Sequence, residues 1–275
     1  MLKHNAKKLL TSILLIAMLF LICSVALAEN QELALKAGMT KSEFKLMNPL
    51  VSPWYNPANE FYGTTHVGLA TFDTDLTPLP CLAKNWTISS DGKSITFAIV
   101  PNAKWEDGTP VTSDDVKFTY EYWRDKEIFR EGGTLKLYLD NVEVLDKYSG
   151  IMHLKEPYAY YFVQALFPTV YILPKHIWEK VDDPSKYDGK DAMIGCGPFI
   201  FESFDKDADT ANLKANENYF EGKPSVDKIV WRHFRDVDSM LLSLMKGEID
   251  VLFEYKTPTG IKAESLESEK GVRVD

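Results

Sequence analysis

The sequence contains few of the residues on which catalytic and metal sites depend. Three of its 275 residues are cysteine and five are histidine. No histidine after residue 28 has a second histidine, a cysteine or an acid at metal-ligand spacing. The G-x-S-x-G elbow, the phosphate-binding glycine loop and the H-E-x-x-H motif are also absent. These absences argue against an enzyme, and we expect no metal and no cofactor.

Acid pairs do occur, but their positions favour structural roles. Asp114 and Asp115 lie at the start of a predicted helix, and Asp182 and Asp183 lie in a predicted turn. Acids in these positions cap helices or remain solvated. We therefore interpret them as caps rather than as general acids and bases.

Basic residues are in the minority. The sequence has 31 lysines and arginines against 40 acids, which gives a net charge of −9. Without residues 1–28, which contain three lysines and no acid, the net charge becomes −12. So acidic a protein argues against nucleic acid or anionic lipid as its partner.

The only long apolar run lies near the N-terminus. Lysines precede the run over residues 9–25, and Ala26-Leu27-Ala28 follows it, as is typical of a signal peptide that is cleaved off. We predict that residues 1–28 are removed and that the mature protein is periplasmic or extracellular. Two alternatives are a membrane anchor and a lipid-modified Cys23, although the bulky Ile22 disfavours the second.

Only Cys81 and Cys196 remain in the mature part. An oxidising compartment permits a disulfide between them. Two buried free thiols are the alternative, and the spacing of the cysteines leaves both open.

Turn chemistry and periodicity predict a mixed α/β fold. Three hairpins are predicted, around Asp91-Gly92, around Ser149-Gly150 and around the acidic turn 205–209. One helix should begin after Thr112, and a second should cover residues 238–246 with Leu241, Leu244 and Met245 as its apolar stripe. A strand over residues 249–253 should follow it, and a shorter helix should cover residues 175–180. Hairpins mixed with helix–strand units indicate a mixed sheet.

The densest motif covers residues 195–199. Its two glycines permit close backbone approach, and Pro198 fixes the chain before an apolar strand. A bend at the start of a strand and a wall that meets ligand are equally good interpretations of this pattern.

Several segments in order resemble a known family. Residues 80–86, 89–97 and 103–116 form a string that resembles the signature of the family 5 extracellular solute-binding proteins, which serve dipeptide, oligopeptide and nickel ABC importers. Residues 194–199 resemble another segment of that family, with Cys196 where threonine is usual. Residues 216–224 and 245–251 resemble later segments, so the resemblance covers residues 76–255.

The resemblance implies one lobe of a two-lobed clamp, a type II periplasmic-binding-protein-like fold with a mixed sheet. After the signal peptide, residues 29–80 would begin the first lobe, 81–190 would form an inserted subdomain, and 191–275 would return to the first lobe. The sequence ends in what resembles the start of a strand, so we expect a second lobe that is largely missing. The implied function is to capture a peptide or similar small solute and deliver it to ABC permease subunits, and we expect a monomer.

Candidate ligand-binding residues follow from this interpretation, each with core packing or backbone geometry as the alternative. They are Trp54, Tyr55, Asn56, Trp123, Tyr160, Gly195 and Cys196. Two other functions stay open: a secreted glycan- or peptide-active hydrolase with a carboxylate pair, and a binding lobe that serves a chemoreceptor. The sequence does not select a substrate among peptide, nickel complex and oligosaccharide.

Overall fold

A computed structural model describes residues 32–40, 47–50 and 58–253. The strands are β1 (Ala34–Thr40), β2 (Ala70–Phe72), β3 (Pro78–Pro80), β4 (Ala83–Ile88), β5 (Ser94–Ile99), β6 (Leu139–Asp146), β7 (Ser149–Leu154), β8 (Phe199–Asp205), β9 (Thr210–Ala215), β10 (Lys228–Phe234) and β11 (Val251–Phe253). The α-helices are α1 (Ala58–Thr65), α2 (Ser113–Asp125), α3 (Phe129–Tyr138), α4 (Ala159–Tyr161), α5 (Phe167–Thr169), α6 (Lys175–Trp178) and α7 (Val237–Met245). A π-helical turn (Phe162–Leu166) joins α4 to α5, and 3₁₀ turns cover Pro184–Lys186 and Lys190–Met193.

A five-stranded mixed sheet carries the two ends of the described chain. Its strand order is β11-β1-β10-β9-β8. β1 pairs in parallel with both β10 and β11, whereas β9 is antiparallel to both β10 and β8. One face packs against α1, where Phe61 contacts Trp231 and Phe201 edge to face. The mixed sheet of an α/β fold, predicted from the hairpins and helix–strand units, is confirmed.

A second sheet is antiparallel, with the order β4-β5-β7-β6. The hairpin predicted around Asp91-Gly92 joins β4 to β5, and Gly92 has the positive φ of +67° that such a turn requires. Ile95, Phe97 and Ile99 point to the core and are at most 1% exposed. The alternation read from the sequence therefore identified the buried face of this strand.

The turn of the second predicted hairpin was placed wrongly. Ser149 pairs with Asp146, so the loop between β6 and β7 is residues 147–148 and Gly150 lies inside β7. A Cβ at Gly150 would lie 2.6 Å from the carbonyl oxygen of Glu143 and 2.7 Å from the ring of Phe97. The glycine therefore serves close packing between strands rather than a turn.

Helix α2 begins where the sequence predicts. The Asp115 carboxylate accepts hydrogen bonds from the backbone N–H of Thr112 at 2.8 Å, from the Thr112 hydroxyl at 3.0 Å and from the backbone N–H of Lys175 at 3.0 Å. Asp183 likewise accepts a bond from the backbone N–H of Ser185 at 3.1 Å. The interpretation of both as capping acids is confirmed.

The apolar stripe of α7 differs in one residue from the prediction. Met240 is fully buried and Leu241 is 8% exposed, whereas Met245 is 50% exposed. Met245 lies in the last turn, next to Gly247, whose φ of +69° ends the helix. The helix therefore buries its middle, at Met240, Leu241 and Ser243, and Met245 at its end faces solvent.

Among the described residues, no helix is both long and apolar enough to cross a membrane. The predicted signal peptide lies outside the described residues. The division into a lobe and an inserted subdomain at residues 81–190 stays a prediction.

A candidate ligand-binding edge of the five-stranded sheet

The parallel strands end together at one edge of the five-stranded sheet. Thr40 at the end of β1 pairs with Phe234 at the end of β10, and Met39 pairs with Phe253 at the end of β11. In open α/β sheets, ligands bind in the crevice outside the carboxyl ends of the strands. We call this edge, defined by Thr40, Phe234 and Phe253, the carboxyl edge.

An aromatic pair lies behind the carboxyl edge. The ring of Phe253, which is partly exposed, lies 5.2 Å from the ring of Trp231 at an interplanar angle of 38°. Trp231 is only 2% exposed, and Phe61 of α1 packs edge to face against it at 6.1 Å. The pair thus forms a rigid apolar wall with one ring at the surface, as many ligand pockets have.

Two arginines lie in and just after β10. The guanidinium of Arg232 lies 4.9 Å from the ring centre of Phe234 and 3.6 Å from the Glu248 carboxylate, so its charge is already engaged. Arg235, the residue after β10, is exposed and forms no ion pair with another described residue. A guanidinium in such a position can bind a carboxylate through two hydrogen bonds.

The motif of residues 195–199 lies at the opposite edge. Because β9 is antiparallel to both of its neighbours, β8 runs parallel to β10 and begins at the amino edge. A Cβ at Gly195 would lie 1.9 Å from the carbonyl oxygen of Thr65, and the N–H of Gly197 donates to the same oxygen at 2.9 Å. The backbone of residues 195–197 thus packs directly on the end of α1, and we call this contact the joint. The role of Gly195 and Cys196 in ligand binding stays a prediction.

The two aromatic candidates that the structure describes lie on helices, in different surroundings. Trp123 of α2 is 2% exposed and packs edge to face against Phe129 at 6.2 Å, which is the core-packing alternative. Tyr160 of α4 is 73% exposed. Trp54, Tyr55 and Asn56 lie outside the described residues. None of these ligand roles has been tested, and all stay predictions.

Phe253, Trp231 and Arg235 are not among the candidate ligand-binding residues that the sequence indicates. Their position depends on parallel pairing between segments almost 200 residues apart, which no local pattern shows. The sequence does contain a signal for the strand that carries Trp231. In it, Ile229, Trp231 and His233 alternate with Val230 and Arg232 before an acid-rich helix start.

The described residues contain single His–carboxylate pairs rather than clusters. The pairs are His153 with Glu143 at 2.9 Å, His176 with Asp107 at 2.7 Å, and His233 with Asp209 at 3.0 Å. No group of three or more potential metal ligands occurs among the described residues. Each pair is an ordinary surface or strand-end contact.

Among the described residues, one carboxyl group has a raised pKa, that of Glu106, which burial raises. Burial also raises the pKa of the neighbouring Asp107, but hydrogen bonds from Thr109 and His176 outweigh it and lower that pKa overall. Both acids belong to one turn, which the bond from the N–H of Trp105 to the carbonyl of Thr109 closes at 2.9 Å. They do not face one another across a cleft, as a glycosidase pair would.

Both described cysteines are free thiols. Cys81 is 8% exposed and Cys196 is 1% exposed. Burial raises the pKa of Cys81 to about 11 and raises that of Cys196 well above its usual value. Of the two alternatives that the sequence left open, the structure has the buried thiols.

We expect these thiols to be unreactive in the native protein, because the thiolate is the nucleophile and burial disfavours it. Ellman's reagent at pH 8 should label neither Cys81 nor Cys196 before denaturation and should label both in urea. Peptide mapping after alkylation distinguishes them from Cys23. A denatured, unreduced protein in which neither residue reacts would contradict the free-thiol state.

One family model and several named proteins match this chain. Residues 77–274 match the model of the bacterial extracellular solute-binding proteins, family 5 middle region. A putative ABC transporter peptide-binding protein of Brucella abortus is 32% identical over 192 residues, which are 68% of this chain and 35% of that protein. The oligopeptide-binding protein AppA of Bacillus subtilis is 27% identical over 273 residues, which are 93% of this chain and 50% of AppA.

Solved structures confirm the predicted clamp-like fold. The structure of AppA in complex with a nonapeptide has a TM-score of 0.72 at 24% identity and aligns with 88% of this chain and 47% of AppA. The periplasmic binding protein DppA from Helicobacter pylori, in complex with the peptide STSA, has a TM-score of 0.71 at 23% identity, over 91% of this chain and 52% of DppA. This chain therefore spans about half the length of AppA and of DppA.

Proposed function

Because the chain belongs to the bacterial extracellular solute-binding proteins of family 5, we propose that it is the substrate-binding component of an ABC importer. It captures a peptide or similar small solute outside the cytoplasmic membrane and delivers it to the permease. It acts as a monomer, it catalyses no reaction, and residues 1–28 direct its export. The observation that carries the proposal is the family match over residues 77–274.

The residues at the carboxyl edge suit a peptide ligand. The Phe253–Trp231 wall suits an apolar side chain, and the exposed Arg235 suits a terminal or side-chain carboxylate. AppA and DppA, which share the fold, were solved with peptides bound. A ligand that has both an apolar group and a carboxylate matches the two features at once.

Calorimetry on the complete gene product with a set of two- to nine-residue peptides tests the proposal. We expect saturable binding of one peptide per protein. Replacing Phe253 by alanine should weaken binding about tenfold, equivalent to about 1.4 kcal/mol, because the exposed part of the aromatic wall is lost.

The matched control is Leu145→Ala, which removes an apolar side chain that is 50% exposed on β6 of the other sheet. We expect it to leave affinity within about twofold. Binding of no peptide by the wild type would contradict the proposed solute class. An equal loss in both variants would contradict the assignment of the site to the carboxyl edge.

A further inference from the structure

The four-stranded sheet has a row of polar side chains on its outer face. One row across β5, β7 and β6 is at most 1% exposed and consists of Ile95, Met152 and Val142. The next row consists of Ser94, His153 and Asn141, which pair in the same register. Because successive side chains of a strand point to opposite faces, this second row lies on the face away from the core. We call Ser94, His153 and Asn141 the outer row.

The outer row lines an open groove of about 500 Å³. Four further residues that line this groove are polar, namely Asp91, Lys93, Asp140 and Glu143. The volume falls within the range of about 300–1,000 Å³ that small-molecule sites occupy. The groove is therefore large enough for a ligand of several linked rings, and its lining offers hydrogen bonds rather than apolar contacts.

The three carboxylates of the groove already have hydrogen-bond partners. The pairs are Glu143 with Nε2 of His153 at 2.9 Å, Asp91 with the Ser89 hydroxyl at 2.6 Å, and Asp140 with the side-chain nitrogen of Asn141 at 3.1 Å. The ammonium group of Lys93 adds a positive charge to the same groove. Acids that are compensated in this way favour a neutral ligand with hydroxyl groups over an ion.

Two polar atoms of the outer row are available to a ligand. The Ser94 hydroxyl and the side-chain oxygen of Asn141 have no hydrogen-bond partner among the described residues. They lie on the two sides of His153, on strands whose paired side chains are about 5 Å apart. A ligand that carries hydroxyl groups at several positions can therefore bond to both of them at once.

A surface of tyrosine rings lies beside the groove. The rings of Tyr138 and Tyr158 stack with their centres 3.8 Å apart and an interplanar angle of 8°. Tyr161 lies 4.9 Å from Tyr158, and all three side chains are partly exposed. We call Tyr138, Tyr158 and Tyr161 the tyrosine platform.

Backbone bonds join the tyrosine platform to the groove. The N–H of Lys155 donates to the carbonyl of Tyr138 at 2.9 Å, and the ammonium group of Lys93 donates to the carbonyl of Lys155 at 3.1 Å. Tyr138 also directly precedes β6, whose second residue is Asp140 in the groove. One extended ligand can therefore contact the platform and the groove together.

The geometry of the platform suits a flat ring rather than a cation. Parallel rings 3.8 Å apart leave no space between them, so Tyr138 and Tyr158 do not form the cage in which aromatic residues enclose an ammonium group. An aromatic face instead packs against the C–H face of a pyranose ring, and the hydroxyl groups of the sugar stay free for polar side chains.

We propose that the groove and the tyrosine platform form a second ligand-binding site, which binds a neutral oligosaccharide. One pyranose ring packs on the tyrosine platform, and the adjoining sugar residues hydrogen-bond to Ser94 and Asn141. This site lies on the four-stranded sheet, whereas the carboxyl edge belongs to the five-stranded sheet. Binding of the oligosaccharide and binding of a peptide should therefore be independent.

Calorimetry on the complete gene product tests this site with four probes: cellohexaose, chitohexaose, maltohexaose and mannohexaose. We expect at least one of them to bind with a Kd below about 1 mM. Asn141→Ala should weaken this binding about tenfold because hydrogen bonds to the sugar are lost, and Tyr158→Ala should weaken it as much because the platform is lost. Asn141 is exposed, so its variant should fold even where removal of the Tyr158 ring unfolds the protein.

Two matched controls change the other sheet. Asn212→Ala removes an asparagine side chain from β9, and Phe253→Ala removes an aromatic ring from the carboxyl edge. Both should leave the oligosaccharide affinity within about twofold of the wild type, and Asn141→Ala should leave the peptide affinity unchanged.

Three results would overturn the second site. The first is a wild type that binds none of the four hexasaccharides, including one that binds spermidine instead and so has a site for an organic cation. The second is an Asn141→Ala variant that binds the sugar as tightly as the wild type. The third is an equal loss in Phe253→Ala and Asn141→Ala, which would place the sugar at the carboxyl edge. Peptide binding by the wild type, measured separately, decides the proposed function.

Discussion

Replacing Gly195 by alanine should lower the free energy of unfolding by about 3 kcal/mol. The new Cβ would lie 1.9 Å from the carbonyl oxygen of Thr65 and 2.8 Å from its carbonyl carbon. Both are backbone atoms, so no side-chain rotation relieves the contact. The joint would have to separate, which also strains the bond from the N–H of Gly197 to Thr65 at 2.9 Å and that from the N–H of Glu106 to Gly195 at 3.0 Å.

Urea unfolding followed by fluorescence measures this loss. The control is Gly133→Ala in α3, because a Cβ there meets nothing within 4 Å. Alanine in a helix interior should stabilise by about 0.5–1 kcal/mol relative to glycine. A cost below about 1 kcal/mol for Gly195→Ala would show that the joint can give way and that its tight packing is not required.

Local signals predicted the elements that depend on local geometry. The Asp91-Gly92 turn, the cap of α2 by Asp115 and the end of α7 at Gly247 each depend on residues within one turn of chain. The misplaced turn at Gly150 shows the limit of such signals. A glycine that serves a turn and one that admits the Phe97 ring are identical in sequence.

The candidate site depends on pairings that local signals do not contain. β1 lies between β10 and β11 only because Ala34 pairs with Lys228 and Ala37 with Val251. These pairings create the carboxyl edge and bring Phe253 against Trp231. The sequence indicates Trp123 as a ligand-binding candidate because an aromatic residue on a helix face is equally compatible with a core and with a ligand wall. Its burial follows from packing against α3, which begins after it in the chain.

The same joint contains a buried histidine that should make the protein sensitive to acid. His66 is 1% exposed, its Nδ1 lies 2.8 Å from the Thr65 hydroxyl, and its Nε2 has no hydrogen-bond partner among the described residues. The Thr65 hydroxyl donates its one proton to the Tyr62 carbonyl at 3.1 Å, so it accepts the Nδ1–H of a neutral ring. Protonation would add a charge and an N–H at Nε2, for which the described residues provide no acceptor.

In the part of the chain that the structure describes, no charged side chain offsets this cost. The ring packs against Tyr171 at 6.0 Å, and Gly195 lies across from it with its Cβ position 3.4 Å from Cγ. Burial lowers the pKa of His66 to about 4, opposed only by the backbone hydrogen bond with Tyr62. In the unfolded chain an ordinary histidine has a pKa of about 6.5. Below that pH the unfolded state therefore binds more protons than the folded state.

Stability should consequently be complete above pH 6.5 and should fall as the pH decreases toward 4. The loss is about 1.4 kcal/mol per pH unit within that window, or about 2 kcal/mol between pH 7 and pH 5, where few carboxylates titrate. Urea unfolding at pH 7, 6 and 5 measures it. His66→Gln should remove this dependence, because glutamine fills a similar space and does not titrate.

The control is His153→Gln, which replaces an exposed histidine that lies 2.9 Å from Glu143. Its unfolding free energy should depend on pH as strongly as that of the wild type, because His66 is intact. If His66→Gln and the wild type lose equal stability between pH 7 and pH 5, His66 is not the group responsible. If both variants lose the dependence, the acid sensitivity arises from the surface charge balance rather than from the joint between α1 and residues 195–197, because His153 lies beside Glu143 whereas His66 is buried in that joint.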